Sequence, residues 1–355
     1  MYKKFFMGIA AMAALTLVSC SSDDLNSLSD NSSKNEAISF DGYLGRSAVS
    51  VNGTRGSELD LPALQSKGFG VFGNYTSTDV TTTTYGENLF KNQKVTYDAS
   101  AGTPAWTYTP VKYWPTVGHI DFLAYAPYLK GTTLNNNTSI KFDVANKVDE
   151  QKDLLWANAT SQTKEKGKVT FHFAHALSRL GYSVKLKNYN SESKATITLN
   201  KITLAGSATV STEGAFYTNG TIDLSKTSSE NPWTQIDKNT KQNFDWFSSD
   251  NTSSGNTLSN NDDVIKSTEY LFVIPQDFSG TDKLYVKVEY TISYSDGSEP
   301  ITYKVYQQIT NNFLKGKAYT INLTIGLTPI EFAADVTPWT DTDNKNTDIP
   351  IDSWK

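Results

Sequence analysis

The sequence predicts an all-β protein built as two tandem β-sandwiches. Three observations carry that expectation. Charged residues make up 19% of the 355-residue chain while aromatics reach 12%, and Thr, Ser and Asn are plentiful, a composition suited to pleated, half-buried surfaces. Short apolar runs alternate with period two, as strands do. Turn residues separate those runs along most of the length. The length suffices for two domains of roughly 150 residues. A net charge of -5 argues against a nucleic-acid partner, which would want a basic face.

The leader comes first. Lys3 and Lys4 precede an apolar run from Phe5 to Val18, and the run ends Leu17-Val18-Ser19-Cys20. A basic start, an apolar stretch and a small residue before the cut describe a secretory signal over residues 1–19. The run is shorter than the roughly 20 apolar residues that span a bilayer. The order Leu17 to Cys20 resembles a bacterial lipobox. That resemblance implies cleavage before Cys20 and lipidation of its thiol, against the alternative of a cysteine buried in the fold. Each buried methylene of an acyl chain contributes ~0.8 kcal/mol, so several chains hold firmly. Cys20 is the single cysteine, which leaves disulfides no part in the exported fold. Residues 20–36 are nearly all polar and read as a flexible tether reaching roughly 20–25 Å.

The first strand follows. Ile38, Phe40 and Leu44 share one face at period two. Beyond Gly45 the apolar positions shift to Val49 and Val51, which points to a bulge or turn, and Asn52 to Gly56 reads as a loop. Strands are expected over Lys67 to Tyr75, Leu89 to Tyr97, Trp106 to Tyr108, His119 to Tyr128, Ile140 to Val144 and Asp153 to Ala157. The stretch from Gln162 to Lys168 is a charged break, and the domain boundary is placed there. This gives an N-terminal sandwich over 37–165 and a C-terminal one over 166–339. Val169, Phe171 and Phe173 open the second half in alternation, followed by strands at Tyr182 to Leu186, Thr196 to Leu204 and Tyr270 to Ile274. Leu284 to Ile292 alternates almost without fault, Asp296-Gly297 turns the chain into Ile301 to Val305, and Tyr319 to Ile325 is the last strong strand. Asn251 to Asp263 reads as a mobile loop, and 340–355 as a tail.

Several pieces taken together resemble the fimbrillin family, the Mfa-like and FimA-like surface lipoproteins of Gram-negative anaerobes. They are Phe69-Gly70-Val71-Phe72, Tyr113-Trp114-Pro115, Phe122 to Pro127, Asp153-Leu154-Leu155, Phe173 to Leu180, Gly316 to Ile321 and Thr337-Pro338-Trp339. Each is weak alone; their order and spacing are more specific. The resemblance implies two transthyretin-like β-sandwich domains, display on the outer membrane through lipidated Cys20, and assembly with other fimbrial subunits. It also implies removal of the first strand by an arginine-specific protease and its replacement by a strand from a neighbour. Arg55, in a Gly-bearing loop, is the first choice of cut site and Arg46 the second; the alternative is that both are ordinary surface arginines. The exchanged strand would carry Ile38, Phe40 and Leu44. In the tail, Ile349 and Ile351 alternate as a donor strand would, although Pro350 removes one ladder donor. The alternative is a tail that folds back or stays loose.

Other chemistry has less support. His172 and His175 are spaced i, i+3, which on a strand sends them to opposite faces. There is no nucleophile elbow, P-loop, dinucleotide turn or zinc-protease helix, so no catalytic residue, cofactor or metal is assigned. Asp341 to Lys345 mimics the start of a calcium loop but places Lys345 where an oxygen ligand belongs. Of the seven tryptophans, Trp114 and Trp156 sit in apolar motifs as core. Trp233 and Trp246 flank polar loops and are the better candidates for an exposed sugar-binding patch. Two functions are therefore carried: a fimbrial subunit that polymerises by strand exchange, and a monomeric surface lipoprotein binding glycans or another host ligand.

Overall fold

The computed structural model describes residues 36–44, 59–77, 89–101, 105–249, 256–328 and 332–338, and strands dominate them. Cys20, Arg46, Arg55, Ile349 and Ile351, with the leader, the tether and the tail, lie outside the described residues.

Eight strands precede residue 176: β1 (Phe40–Leu44), β2 (Phe69–Thr76), β3 (Phe90–Tyr97), β4 (Trp106–Thr107), β5 (His119–Ala126), β6 (Ser139–Asp143), β7 (Leu155–Gln162) and β8 (Val169–His175). All but β6 form one sheet in the order β1-β8-β7-β5-β2-β3-β4. Its centre is β5, whose residues Ile120 to Ala126 are all buried, as the dense apolar run predicts. The sheet curls far enough that Gly42 of β1 lies under the Trp106 ring of β4: a Cβ there would come within 3.4 Å of it. One short helix, α1 (Leu61–Lys67), precedes β2. Asp60 caps it by accepting from the Ala63 N–H at 2.8 Å, and Gly68 ends it at φ +69°.

The charged stretch 162–168 does not separate the halves. It carries a single turn between β7 and β8, and those strands pair directly, Leu155 with His175 and Trp156 with Ala174. Val169, Phe171 and Phe173 are buried in the same apolar cluster as Phe40. The chain therefore leaves the first sheet after His175, not at residue 165. Charge at an exposed turn and charge at a linker look alike in a sequence, because both are solvated. Strand β6 also departs from the expected division, since it pairs with a strand of the second half.

The second half begins with β9 (Ser178–Leu186), β10 (Ala195–Ala205), β11 (Phe216–Tyr217), β12 (Asn219–Asp223), β13 (Trp233–Ile236) and β14 (Lys241–Gln242). It continues with β15 (Phe244–Ser248), β16 (Thr257–Leu258), β17 (Val264–Lys266), β18 (Leu271–Val273) and β19 (Gln276–Asp277). It ends with β20 (Leu284–Tyr294), β21 (Ile301–Ile309), β22 (Asn312–Phe313), β23 (Ala318–Ile325) and β24 (Ala333–Pro338). Two sheets make the layers, β15-β10-β20-β21 and β17-β9-β23-β24. Strand β20 buries Leu284, Val286, Val288, Tyr290 and Ile292 from alternate positions. The expected hairpin follows, with Ile292 opposite Ile301 and Gly297 at φ +83° in the turn. The stretch read as a mobile loop contains β16, whose Leu258 is buried, and a turn in which Asp263 accepts from the Ser259 N–H at 2.6 Å.

The halves are tied to each other. Strand β6 pairs with β12 from Ser139–Asp223 to Asp143–Asn219. Gln151 is 2% exposed; it accepts from the Phe272 N–H at 2.7 Å and donates to the Ala145 carbonyl at 3.1 Å. Trp156 Nε1 donates to the Lys226 carbonyl at 3.0 Å, and Lys315 lies over the Trp156 ring at 5.2 Å. Phe72, Leu123, Tyr125 and Trp156 pack into the core of the second half. The opposite face of the first sheet encloses a separate core.

Candidate functional site

That separate core is organised around the first strand. The segment 36–44 hydrogen-bonds to two neighbours in turn. Over residues 36–38 it runs antiparallel to 112–114: Trp114 donates to the Glu36 carbonyl at 2.9 Å, and Ile38 to the Lys112 carbonyl at 2.8 Å. From Ser39 onward the pairing moves to β8, where Val169 donates to the Ser39 carbonyl at 2.9 Å. Strand β1 then runs parallel to β8 with Phe40 opposite Val169 and Leu44 opposite Phe173. It stands at the end of the sheet order.

The side chains follow the alternation read from the sequence. Ile38, Phe40 and Leu44 are 2%, 0% and 4% exposed. Gly42 shares their face, a position the apolar pattern does not mark, and the Phe69 and Trp106 rings occupy the space beneath it. Phe40 is ringed by Phe90, Tyr108, Phe122 and Phe171 at centroid distances of 5.5, 5.3, 5.4 and 5.7 Å. Tyr108 closes the turn of the strand by donating its hydroxyl to the Ile38 carbonyl at 2.8 Å. Outward, Asp41 meets Lys168 at 2.8 Å with both half exposed, a pair of little energetic weight. Tyr43 faces solvent and touches His172 edge-on at 5.5 Å.

Burying three large apolar side chains contributes ~1.5–3 kcal/mol each, or roughly 5–9 kcal/mol gross. A whole domain is stable by ~5–15 kcal/mol. Withdrawing β1 would also strip hydrogen-bond partners from residues 112–114 on one side and β8 on the other. The vacated slot would offer unpaired backbone beside apolar pockets, the combination that an added strand satisfies.

The remaining expectations divide. His172 is exposed and His175 buried, on opposite faces of β8. His175 Nδ1 lies 2.7 Å from Asp153 Oδ2, which also accepts from the Leu59 N–H at 3.2 Å. His119 Nε2 is 3.6 Å from Asp121. Among the described residues no three His, Cys, Asp or Glu side chains group as metal ligands would. Trp106, Trp114 and Trp156 are buried. Trp233 and Trp246, expected at an exposed patch, are only 7% and 5% exposed. Their indole N–H groups are bound to backbone carbonyls, Trp233 to Ala176 at 2.7 Å and Trp246 to Glu269 at 3.3 Å. Neither ring forms a sugar-stacking platform. Trp233 packs over Gly220 of β12 and Trp246 against the Tyr182 ring of β9, long-range contacts that local sequence does not reveal.

A family model described as Fimbrillin-like matches residues 62–339. No curated protein matches the sequence. Among solved structures, a fimbrial protein from Bacteroides vulgatus ATCC 8482 shares 22% identity at a TM-score of 0.61, covering 86% of this chain and 100% of its own. A putative cell adhesion protein from Bacteroides uniformis ATCC 8492 shares 16% identity at a TM-score of 0.50, again over 86% of this chain and 100% of its own. These structural likenesses bear on the fold. With the family model spanning most of the sequence, the chain belongs to the fimbrillin-like family.

Proposed function

We propose that this chain is a structural, adhesive subunit of a cell-surface fimbria, without catalytic activity, joined to neighbouring subunits by strand exchange. The observation that carries the reading is β1: the first described strand, at a sheet edge, yet filling the centre of its domain's aromatic core. A strand so placed can be replaced without rethreading the chain, and its replacement must supply apolar side chains at the same period. The family membership and the fold shared with a Bacteroides vulgatus fimbrial protein support the reading.

In this scheme the chain is exported as a lipoprotein, held to the outer membrane by acylated Cys20. An arginine-specific protease cuts after Arg55, or after Arg46, both of which follow β1 in the sequence. The slot between residues 112–114 and β8 then opens. A strand of another subunit enters it, with the tail bearing Ile349 and Ile351 as donor.

The test is the mature terminus. Assembled protein sheared from cells and sequenced from its N-terminus is expected to begin at Gly56 or Ser47, and unboiled samples to run as a ladder. Polymer that begins at Cys20 would rule out cleavage. Deleting residues 349–355 is expected to abolish the ladder, and an unchanged ladder eliminates the tail as donor.

A further inference from the structure

Beside the junction of the halves lies a cleft of about 580 Å³. One wall is the connection after β6, with Lys147 and Asp149; the other carries Asp245 and Trp246 of β15, Tyr182 of β9, and Glu269. Tyr182 is 6% exposed. Its ring meets Trp246 edge-on at 5.0 Å and its backbone N–H donates to Ser267 Oγ at 3.2 Å. No group among the described residues hydrogen-bonds its hydroxyl. Burial, then the nearby Glu269 carboxylate, pushes that hydroxyl's pKa well above the ordinary tyrosine value, so it keeps its proton. The hydroxyl is not sealed in the core but opens on the cleft, where it can bond a molecule that enters.

The charges around it are largely matched. Lys147 pairs with Glu150 at 3.0 Å and Asp245 with Lys201 at 2.9 Å. An anion would be repelled by Asp149, Asp245 and Glu269. A cation would compete with Lys147, which already stands there. What the walls offer is donors and acceptors interleaved: the Tyr182 hydroxyl, the Lys147 ammonium, the carboxylates, and the Ser248 and Thr268 hydroxyls. Sugar hydroxyls each donate and accept, so they fit such a wall.

We propose that this cleft binds a neutral saccharide of one or two rings, recognised by hydrogen bonds rather than by stacking on an exposed tryptophan. The volume falls within the range of small-molecule sites, roughly 300–1,000 Å³. The site is separate from the β1 slot and stands or falls without it.

The experiment titrates the detergent-purified full chain, by calorimetry and tryptophan fluorescence, with maltose, cellobiose, lactose and chitobiose. Glucosamine and sialyllactose serve as the cationic and anionic arms. At least one neutral disaccharide is expected to bind with a Kd on the order of 1 mM. Tyr182→Phe, which removes only the hydroxyl, should weaken it about three- to tenfold at unchanged Tm. Tyr43→Phe should leave it unchanged. No binding by any of the four, binding by a charged arm alone, or neutral binding indifferent to Tyr182→Phe would each overturn the proposal.

Discussion

Replacing Phe40 with alanine tests how much of the first half depends on its leading strand. Phe40 has no exposed surface, and its ring touches side chains from β3, β5, β8 and the segment after β4. Phe90, Phe122 and Phe171 sit on strands held by ladders to their neighbours, which limits collapse of the site onto the void. Truncations of this kind cost about 3–5 kcal/mol, and this one should sit toward the upper end. With a urea slope of about 1–3 kcal/mol per molar, the midpoint should fall by about 1.5–5 M. Tyr43→Ala is the control: Tyr43 is 46% exposed on the outer face of the same strand and meets the His172 ring edge-on. It should cost under about 1 kcal/mol. The assay is urea unfolding followed by circular dichroism, with amide exchange of β8 read in parallel. Equal midpoints for the two variants, or unchanged protection of β8 in Phe40→Ala, would refute the reasoning.

Two further perturbations test the second half and its tie to the first. Gln151→Ala leaves the buried Phe272 N–H without its acceptor at 2.7 Å and should cost about 1–3 kcal/mol, read as lost exchange protection at that amide. Asp282 concerns pH: burial would raise its pKa, but bonds from Lys241, Tyr217 and Gln276 outweigh this and hold it below the ordinary carboxylate value. Because the folded pKa is depressed, its contribution is complete above the unfolded value of about 3.9 and is lost as pH falls through the folded one. Asp282→Asn should therefore cost about 1.5–3 kcal/mol at neutral pH and nothing in strong acid. A difference from the parent protein that persists at low pH would contradict the assignment.

Much of the strand layout was legible because the signal is local. Successive Cβ atoms on a strand point to opposite faces, so Ile38, Phe40 and Leu44 declare an inner face without knowledge of what lies against it. The same holds for β8 and β20. The helix α1 leaves little trace in the apolar pattern because it has seven residues and one buried side chain, Leu64. Its signals are an Asp60 cap, a proline in the first turn and Gly68 at the end, and these could have found it.

What the sequence determined by itself is the class of the fold, the faces of most strands and the family resemblance. All of these are written in neighbouring residues or in the order of short motifs. Only the tertiary structure decided which strand lies beside which: that β8 completes the first sheet, that β6 crosses to β12, and that Trp233 and Trp246 are covered. It alone brings Tyr182, Asp149 and Glu269 to one cleft from distant parts of the chain. Backbone ladders are chemically alike for every residue, so partner choice rests on side chains meeting across long loops. That energy exists only once the whole core has closed.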